Sequence, residues 1–259
     1  MKRSERHHLK ENAFAVAMAN LGGQLSDWGR GLAIGIAIGI GFLVLYGAYG
    51  WWTDRASGQA GALLADALVV ADAPVVPPPP PTPPPAVDAD GEESAPPPPF
   101  VQPPGTYPSL EAKMNEALPR LLEAANAYPS TQAGITARYR AAAALANIGR
   151  QDEAATHYRQ VIDQDAGVYA RMAALGLADV ELARGSAGAA IELLESASAA
   201  DAAAELPLDG VLMRLAIAYD RAGRTSDARS TYQRVLDEFP ASPYLGSAER
   251  ELEALSTDG

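Results

Sequence analysis

The longest apolar stretch of the chain lies near its N-terminus. Residues 31–52 contain no charged side chain. In a helix, 22 residues extend about 33 Å, which is enough to cross a hydrocarbon core of about 30 Å. Aromatic residues lie near both ends of the stretch, as is typical of membrane interfaces. Trp28 precedes it, and its last seven residues include Tyr46, Tyr49, Trp51 and Trp52. The pattern predicts a single transmembrane helix over residues 31–52.

Within this stretch glycine occupies every fourth position, at Gly31, Gly35 and Gly39. Glycine costs a helix interior about 1 kcal/mol relative to alanine, so a row of glycines on one face needs a reason. In lipid, small residues at this spacing let two helices approach closely. We therefore expect the three glycines to pack against another helix, either in a homodimer or in a different protein. The alternative is that glycine is simply common in membrane helices.

A proline-rich segment follows the apolar stretch. Residues 74–104 hold 15 of the 21 prolines. Because proline lacks an amide donor and fixes φ, this segment is incompatible with a helix or a central strand. The composition predicts an extended polyproline spacer whose contour approaches about 95 Å, at about 3.1 Å per residue. Residues 61–72 have the pattern of a short helix, so residues 53–106 are predicted to form a short helix and a proline-rich linker.

From residue 107 to residue 259 the hydrophobic pattern is helical and repeats. Gly149, Gly185 and Gly223 are each predicted to end a helix, and they are separated by 36 and 38 residues. Equivalent small or apolar residues follow each glycine at the same offsets: Ala154, Ala190 and Ala228, then Tyr158, Leu194 and Tyr232, then Val161, Ala197 and Val235. A two-helix unit that repeats every 30–40 residues predicts a helical solenoid.

These repeats resemble the tetratricopeptide repeat. The third copy carries the family pattern most fully, with Leu212, Leu215, Ala216, Tyr219, Gly223, Ala228, Tyr232, Val235 and Pro240. The second copy lacks the aromatic residue and the proline. Upstream, Ala117, Leu121 and Ala124 fit the second helix of a further unit, whose first helix either is missing or lies before the proline-rich segment. The resemblance implies an all-α, tetratricopeptide-like solenoid of helical hairpins over residues 107–259.

The charge of the chain changes sign across the apolar stretch. Residues 1–30 hold five Lys/Arg and three Asp/Glu, whereas residues 51–106 hold one Arg and seven Asp/Glu. The positive-inside rule therefore predicts a basic cytoplasmic N-terminal segment, residues 1–30, with everything after Trp52 outside the cytoplasm. A cleaved signal peptide is the alternative, but both its basic and its apolar regions would be unusually long. The formal net charge of −12 argues against nucleic acid as a partner.

A narrower resemblance concerns the arrangement of these parts. A membrane helix after a short basic segment, with such repeats beyond it, is similar to the ancillary subunit of the bacterial Sec translocon. The ending DEFPASPYLGSAEREL is similar to periplasmic repeat proteins of outer-membrane assembly and of the Tol-Pal system. These resemblances imply a bacterial inner-membrane protein with a periplasmic repeat domain and with translocon or envelope proteins as partners. The proline-rich segment is a departure from the translocon subunit.

The sequence contains little that suggests catalysis. It has no cysteine, no phosphate-binding loop and no nucleophile motif. His7 and His8 lie beside Arg6 and Lys10, where solvated side chains are expected, and His157 lies on a repeat helix. The sequence therefore predicts no enzyme activity, no cofactor and no metal.

A binding function is expected to lie on a surface of the repeats. In the tetratricopeptide family the first helix of each unit lines a concave groove. The matching positions here are Thr136, Tyr139, Asn147, Met172, Leu175, Asp179, Met213, Ile217, Asp220 and Arg221. The alternative is that several of them pack between helices. The family's basic clamp for C-terminal carboxylates is absent, because Tyr139, Ala143 and Asp179 occupy positions that require Lys or Asn.

Two functions are compatible with this pattern. The first is a membrane-anchored module for protein–protein interaction, which binds extracytoplasmic clients or envelope and translocon partners. The second is a self-associating structural spacer of the cell envelope, in which the repeats provide oligomer contacts.

Overall fold

The computed structural model describes residues 5–80, 99–199 and 206–257, with side chains in 34–80, 99–199 and 206–256. Regular structure in these residues is helical, apart from one isolated β-bridge. The helices are α1 Glu5–Ala71, α2 Leu110–Ala127, α3 Gln132–Asn147, α4 Gln151–Asp163, α5 Val168–Ala183, α6 Ala187–Ser198, α7 Leu208–Arg221, α8 Thr225–Glu238 and α9 Leu245–Thr257. The predicted all-α fold of helical hairpins is confirmed. The chain divides into two units, Met1–Arg55 and Ala56–Gly259.

The first unit contains the N-terminal part of α1. Its apolar side chains are exposed, among them Ile34, Phe42 and Leu45. Among the described residues, one helical stretch, Ile34–Ala71, is long and apolar enough to cross a membrane, with a mean hydropathy of 1.7. Near the end of the predicted span, the guanidinium of Arg55 lies over the Trp51 ring, 5.8 Å from its centroid. The side chains of His7 and His8 lie outside the described residues.

The second unit begins with the last part of α1, residues 56–71. Ala60, Ala67 and Val70 are buried. Leu63 and Leu64 pack against a core cluster that also contains residues of α2 to α5. An amphipathic helix of this kind is stabilised mainly by burial of its apolar face.

Polar contacts show that this part of α1 runs antiparallel to α2. The Tyr128 hydroxyl donates to Gln59 Oε1 at 2.8 Å, and Lys113 Nζ donates to the carbonyl of Ala73 at 2.9 Å. Between these two contacts Arg120 forms an ion pair with an acidic residue of α1, Asp66, at 3.0 Å. Residues 56–71 and α2 are therefore the two helices of a first hairpin. Of the two alternatives left by the sequence, the first helix of this unit lies before the proline-rich segment.

The described ends of the proline-rich segment are joined to each other. The amide of Val76 donates to the carbonyl of Tyr107 at 2.8 Å, and the amide of Tyr107 donates to the carbonyl of Pro74 at 3.0 Å. Gln102 Nε2 donates to the carbonyl of Val76 at 3.2 Å. The pairing uses residues that keep an amide donor, which proline lacks. The segment thus connects the two helices of the first hairpin, which differs from the predicted spacer ahead of the repeats; residues 81–98 lie outside the described residues.

The three following hairpins are α3–α4, α5–α6 and α7–α8, and each turns at a glycine. Gly149, Gly185 and Gly223 have φ of 81°, 81° and 72°, a conformation in which an L-residue with a side chain is strained. The residue after each glycine donates its amide to a carbonyl five residues earlier, for example Arg150 to Leu145 at 2.9 Å. This pairing satisfies the last carbonyls of the helix. The predicted helix ends at the three glycines are confirmed.

The core forms two clusters along the stack of hairpins: the first extends from residues 56–71 of α1 to α5, and the second from α5 to α9. The alanines at the predicted helix crossings, Ala154, Ala190 and Ala228, are all fully buried. Small residues at these crossings let the helices approach closely. The largest fully buried side chains are Tyr232, Leu121, Leu145, Leu194, Leu212, Val161, Val180, Val211 and Val235. Helix α9 covers the second cluster with Ala248, Leu252 and Leu255.

Candidate protein-binding groove

The first helices of the hairpins, α3, α5 and α7, lie side by side: α3 contacts α5, and α5 contacts α7. On each of them, residues spaced i, i+3 and i+7 share one face. Adding 36 residues to a position on α3, and then 38, gives its equivalents on α5 and α7. We call the resulting set the groove stripe. It consists of Arg140, Ala143, Asn147, Gly176, Asp179, Ala183, Arg214, Ile217 and Arg221.

Two open cavities follow the groove stripe. The first, about 250 Å³, lies between α3 and α5. The second, about 300 Å³, lies between α5 and α7. Both are lined by Asp179 and Ala183, so they are neighbouring parts of one groove. The first cavity is further lined by Ala143, Ala146, Asn147, Gln151, Tyr158, Gly176 and Val180, and the second by Leu182, Arg214, Ile217 and Arg221.

Gly176 and Tyr158 pack directly against each other where they line the first cavity. Tyr158 comes from α4, and its ring occupies the space that a side chain at position 176 would need. The ring is almost fully buried, and burial is the main reason why the pKa of its hydroxyl lies above the usual value of 10. The phenol therefore stays neutral at physiological pH. Glycine at position 176 is a requirement of packing between two hairpins.

Tyr139 takes part in an aromatic cluster that joins three helices. Its ring centroid lies 5.9 Å from that of Tyr158 and 5.8 Å from that of Tyr169, both in edge-to-face geometry. Such pairs contribute about 0.5–1.5 kcal/mol beyond the area that they bury. Burial is also the largest cause of the raised pKa of Tyr139. This side chain therefore packs between helices, and it lines neither cavity.

The two arginines that line the second cavity differ in their partners. Arg214 Nε donates to both carboxylate oxygens of Asp179, at 3.2 Å each, and Arg214 Nη1 donates to the carbonyl of Gly210 at 3.2 Å. Arg221 is exposed and has no ion pair with any side chain that the structure describes. The lining of the second cavity therefore carries one more positive than negative charge.

Several predicted groove residues line these cavities. Asn147 lines the first cavity, Asp179 lines both, and Ile217 and Arg221 line the second. Met172 and Leu175 are partly buried and pack against the second core cluster. The part that these residues take in binding stays a prediction.

Met213 packs between helices, which is the alternative that the sequence left open for the groove positions. This side chain is only 7% exposed and belongs to the second core cluster. Position 213 is one residue before Arg214, and one residue corresponds to a rotation of about 100° around a helix. Asp220 is similarly displaced from Arg221; it is exposed but lines neither cavity.

Sequence reasoning missed Arg214 and Gly176 as groove residues. Both are equivalent to Arg140 through the repeat periods, because 36 residues after Arg140 is Gly176 and a further 38 is Arg214. Applied to one reference position, the same offsets connect Asn147, Ala183 and Arg221. The predicted positions Tyr139, Leu175 and Met213 obey the same two periods and lie one residue before the row that starts at Arg140. The periods relate equivalent positions to one another but do not specify which residue of a helix faces the groove.

No group of three or more His, Asp or Glu suited to a metal ion is found among the described residues. His157 is partly buried on α4, and its Nδ1 lies 3.3 Å from Gln160 Oε1. Burial is the main reason why the pKa of His157 is lowered. This environment is that of a packing residue on the second helix of a hairpin.

The predicted glycine stripe lies within α1. An added Cβ at Gly35 or Gly39 would meet no atom within 4 Å, so both positions are open to contact by another helix. The surroundings of Gly31 lie outside the described residues. Packing through these glycines stays a prediction.

Comparison with known proteins places the likeness in the repeats. Residues 136–167 and 211–242 match the family model of the tetratricopeptide repeat. These matches correspond to α3–α4 and α7–α8. The intervening α5–α6 hairpin is the one whose sequence lacks the family's aromatic residue and proline. No curated protein sequence matches the chain.

Three solved structures that match this chain are two of MamA and one of a putative kinesin light chain. The "MamA RS-1 ArsTM double mutant" is 21% identical with a TM-score of 0.48, and the match covers 57% of this chain and 76% of that chain. A putative kinesin light chain of Podosopora anserina with nearly identical TPR-like repeats is 20% identical with a TM-score of 0.49, over 57% of this chain and 79% of that chain. MamA 41-end from Desulfovibrio magneticus RS-1 is 21% identical with a TM-score of 0.47, over 57% and 77% of the respective chains.

Proposed function

We propose that this chain is a membrane-anchored module for protein–protein interaction, and that its groove holds an extended segment of a partner. Tetratricopeptide repeats generally mediate contacts between proteins. The observation that carries the proposal is the pair of adjoining cavities along α3, α5 and α7, lined by apolar, amide and charged groups. A groove that offers both apolar surface and hydrogen-bonding groups suits a polypeptide ligand.

The anchor is the apolar part of α1. Its side chains from residue 34 to residue 49 are all exposed. An exposed apolar surface of this extent is stable only against another apolar phase, and a bilayer supplies one. The charge difference across the stretch favours a cytoplasmic N-terminus. The compartment that we propose for the repeats is the periplasm of a bacterium, with subunits of the translocon or of envelope-assembly complexes as partners.

The alternative of a structural spacer receives less support. A spacer requires the proline-rich segment to separate two parts of the chain, but Pro74 and Val76 are hydrogen-bonded to Tyr107 at its other end. The described ends of the segment therefore lie beside each other, joined by one isolated β-bridge, and the distance between them is far below the contour length of the segment.

Ala183→Trp is expected to abolish partner binding without unfolding the repeats. Ala183 is exposed and lines both cavities, so an indole at this position fills the groove where the two cavities meet. The matched control is Ala189→Trp, an exposed position on α6 that lines neither cavity. Full-length variants would be expressed in the cells that naturally contain the protein, cross-linked in the membrane and captured. The partners would then be quantified by mass spectrometry.

We expect the wild type and Ala189→Trp to recover the same partners. For Ala183→Trp we expect recovery to fall by about tenfold or more, because a filled pocket excludes the ligand. Circular dichroism checks that both variants remain helical. Equal recovery of every partner by Ala183→Trp would show that the groove is not the interface.

The proposed orientation predicts the activity of reporters fused after Gly259. An export-dependent reporter, such as a periplasmic phosphatase, should be active there, because the N-terminal positive charge holds residues 1–30 in the cytoplasm. A reporter that is active only in the cytoplasm should be inactive at the same site. The reverse pair of results would contradict both the orientation and the proposed periplasmic partners.

A further inference from the structure

The charge of the second cavity is opposite to that of the domain around it. Residues 107–259 contain 14 Lys/Arg and 22 Asp/Glu, a net charge of −8. The ionised side chains that line the second cavity are Asp179, Arg214 and Arg221, a net charge of +1. A local excess of positive charge attracts anionic groups to this position, whereas the acidic remainder of the domain repels them.

The two arginines of this cavity have different surroundings. Arg214 is held by both oxygens of Asp179 and by the carbonyl of Gly210, so its charge is largely compensated. Arg221 has no such partner among the described side chains. Its neighbour in sequence, Asp220, lines neither cavity and forms no ion pair with Arg221 among the described side chains. The guanidinium of Arg221 therefore remains a free donor group at the edge of the cavity.

Apolar groups separate the two arginines. Arg214 and Arg221 are seven residues apart on α7, about 10.5 Å along the helix. Ile217 lies between them on the same face, and Leu182 of α5 lines the same cavity. An extended chain advances about 6.5–7 Å every two residues. A residue over Ile217 and a neighbour one or two positions along can thus contact the apolar floor and Arg221 together.

We infer that the second cavity binds an extended segment of a partner through an Asp or Glu side chain on Arg221, beside an apolar residue on Ile217 and Leu182. This inference rests on the proposed binding function and adds the chemistry of the ligand. A guanidinium and a carboxylate form paired hydrogen bonds that a neutral amide cannot match in strength. The ligand is an internal acidic side chain, since the family's clamp for a terminal carboxylate is missing at Tyr139, Ala143 and Asp179.

The test uses a displayed library of random ten-residue peptides, selected on the full-length chain in zwitterionic detergent. The variant is Arg221→Gln, which removes the charge but keeps a polar side chain of similar length. The matched control is Arg250→Gln, which makes the same change of charge on α9, where Arg250 is exposed and donates to Ser247. Ala183→Trp reports whether the selected peptides use the groove.

We expect the peptides selected on the wild type and on Arg250→Gln to be enriched in Asp and Glu beside an apolar residue. On Arg221→Gln this enrichment should disappear. The most enriched peptide, labelled with fluorescein, should bind about three- to tenfold more weakly when its acidic residue becomes Gln, as expected for a partly exposed charged contact. The difference should shrink between 50 and 500 mM salt because salt screens such contacts.

The outcomes separate this inference from the proposed function. Peptides that lose binding to Ala183→Trp but show no acidic enrichment would overturn the inference and leave the groove function standing. Acidic enrichment that persists on Arg221→Gln would also overturn it. If no peptide depends on Ala183, both the inference and the peptide-binding groove fail.

Discussion

Replacing Gly176 with alanine is expected to lower the free energy of unfolding of the repeat domain by about 3 kcal/mol, at the upper end of overpacking costs. An ideal Cβ at this position would lie 2.5 Å from Tyr158 Cζ and 2.7 Å from its hydroxyl oxygen. The Tyr158 ring is buried in the first core cluster, so it has little room to move away. Thermal or urea denaturation followed by circular dichroism at 222 nm measures the loss.

Gly188→Ala is the matched control for Gly176→Ala. Gly188 lies in α6, and an added Cβ meets nothing within 4 Å. Alanine is favoured over glycine in a helix by about 1 kcal/mol, so this change should stabilise the domain slightly. In a double-mutant cycle with Tyr158→Leu, the cost of Gly176→Ala should largely disappear, because the clashing ring is gone. An undiminished cost would show that the contact with Tyr158 is not its cause.

Removing the two arginines around Glu181 is expected to destabilise the domain more than removing Glu181 itself. The side chain of Glu181 is only 6% exposed, and its Oε1 accepts from Arg159 at 2.6 Å and from Arg184 at 3.0 Å. The double variant Arg159→Gln/Arg184→Gln leaves a buried carboxylate without a cation. Breaking a buried pair from one side costs about 3–5 kcal/mol.

Glu181→Gln should cost much less, about 1 kcal/mol. Both arginine side chains reach solvent, with 51% and 35% exposure, and Arg184 keeps an ion pair with Asp152 at 3.0 Å. The free energy of unfolding from urea titrations orders the variants. If Glu181→Gln proved less stable than the double arginine variant, the carboxylate would not be the group that requires compensation.

These two contacts hold α5, which borders both cavities, against the preceding hairpin. Tyr158 and Arg159 belong to α4, whereas Gly176 and Glu181 belong to α5, so both contacts join one hairpin to the next. The orientation of α5 relative to α3 then determines where Asp179 and Ala183 lie in the groove. Changes at Gly176 are therefore expected to disturb ligand binding as well as stability.

Much of the fold was predictable because it depends on local sequence. The helical periodicity, the 36- and 38-residue periods and the turns at Gly149, Gly185 and Gly223 each depend on residues close together in the chain. A positive φ after a helix is a property of the glycine itself. The alanines at the crossings were also identifiable, because equivalent positions repeat in each hairpin.

The groove was only partly predictable from the sequence. Asn147, Asp179, Ile217 and Arg221 were placed on the first-helix face by resemblance, and they line the cavities. Met213 was assigned to the same face but is buried, because an error of one residue turns a side chain by about 100°. The ion pair between Asp179 and Arg214 joins two hairpins, and no local pattern indicates which charges meet across such a contact.

By itself, the sequence determined that the chain has an uncharged stretch long enough to span a bilayer and a helical repeat with alanine at its crossings, because periodicity and composition are local properties. The tertiary structure decided that residues 56–71 complete the first hairpin and that the proline-rich segment returns to its starting point. It also decided which face of α7 borders the groove. These features depend on contacts between residues far apart in the chain, such as Val76 with Tyr107 and Asp66 with Arg120. The free energy of such contacts comes from burial and pairing in the folded state, which the hydrophobic pattern of either segment alone does not specify.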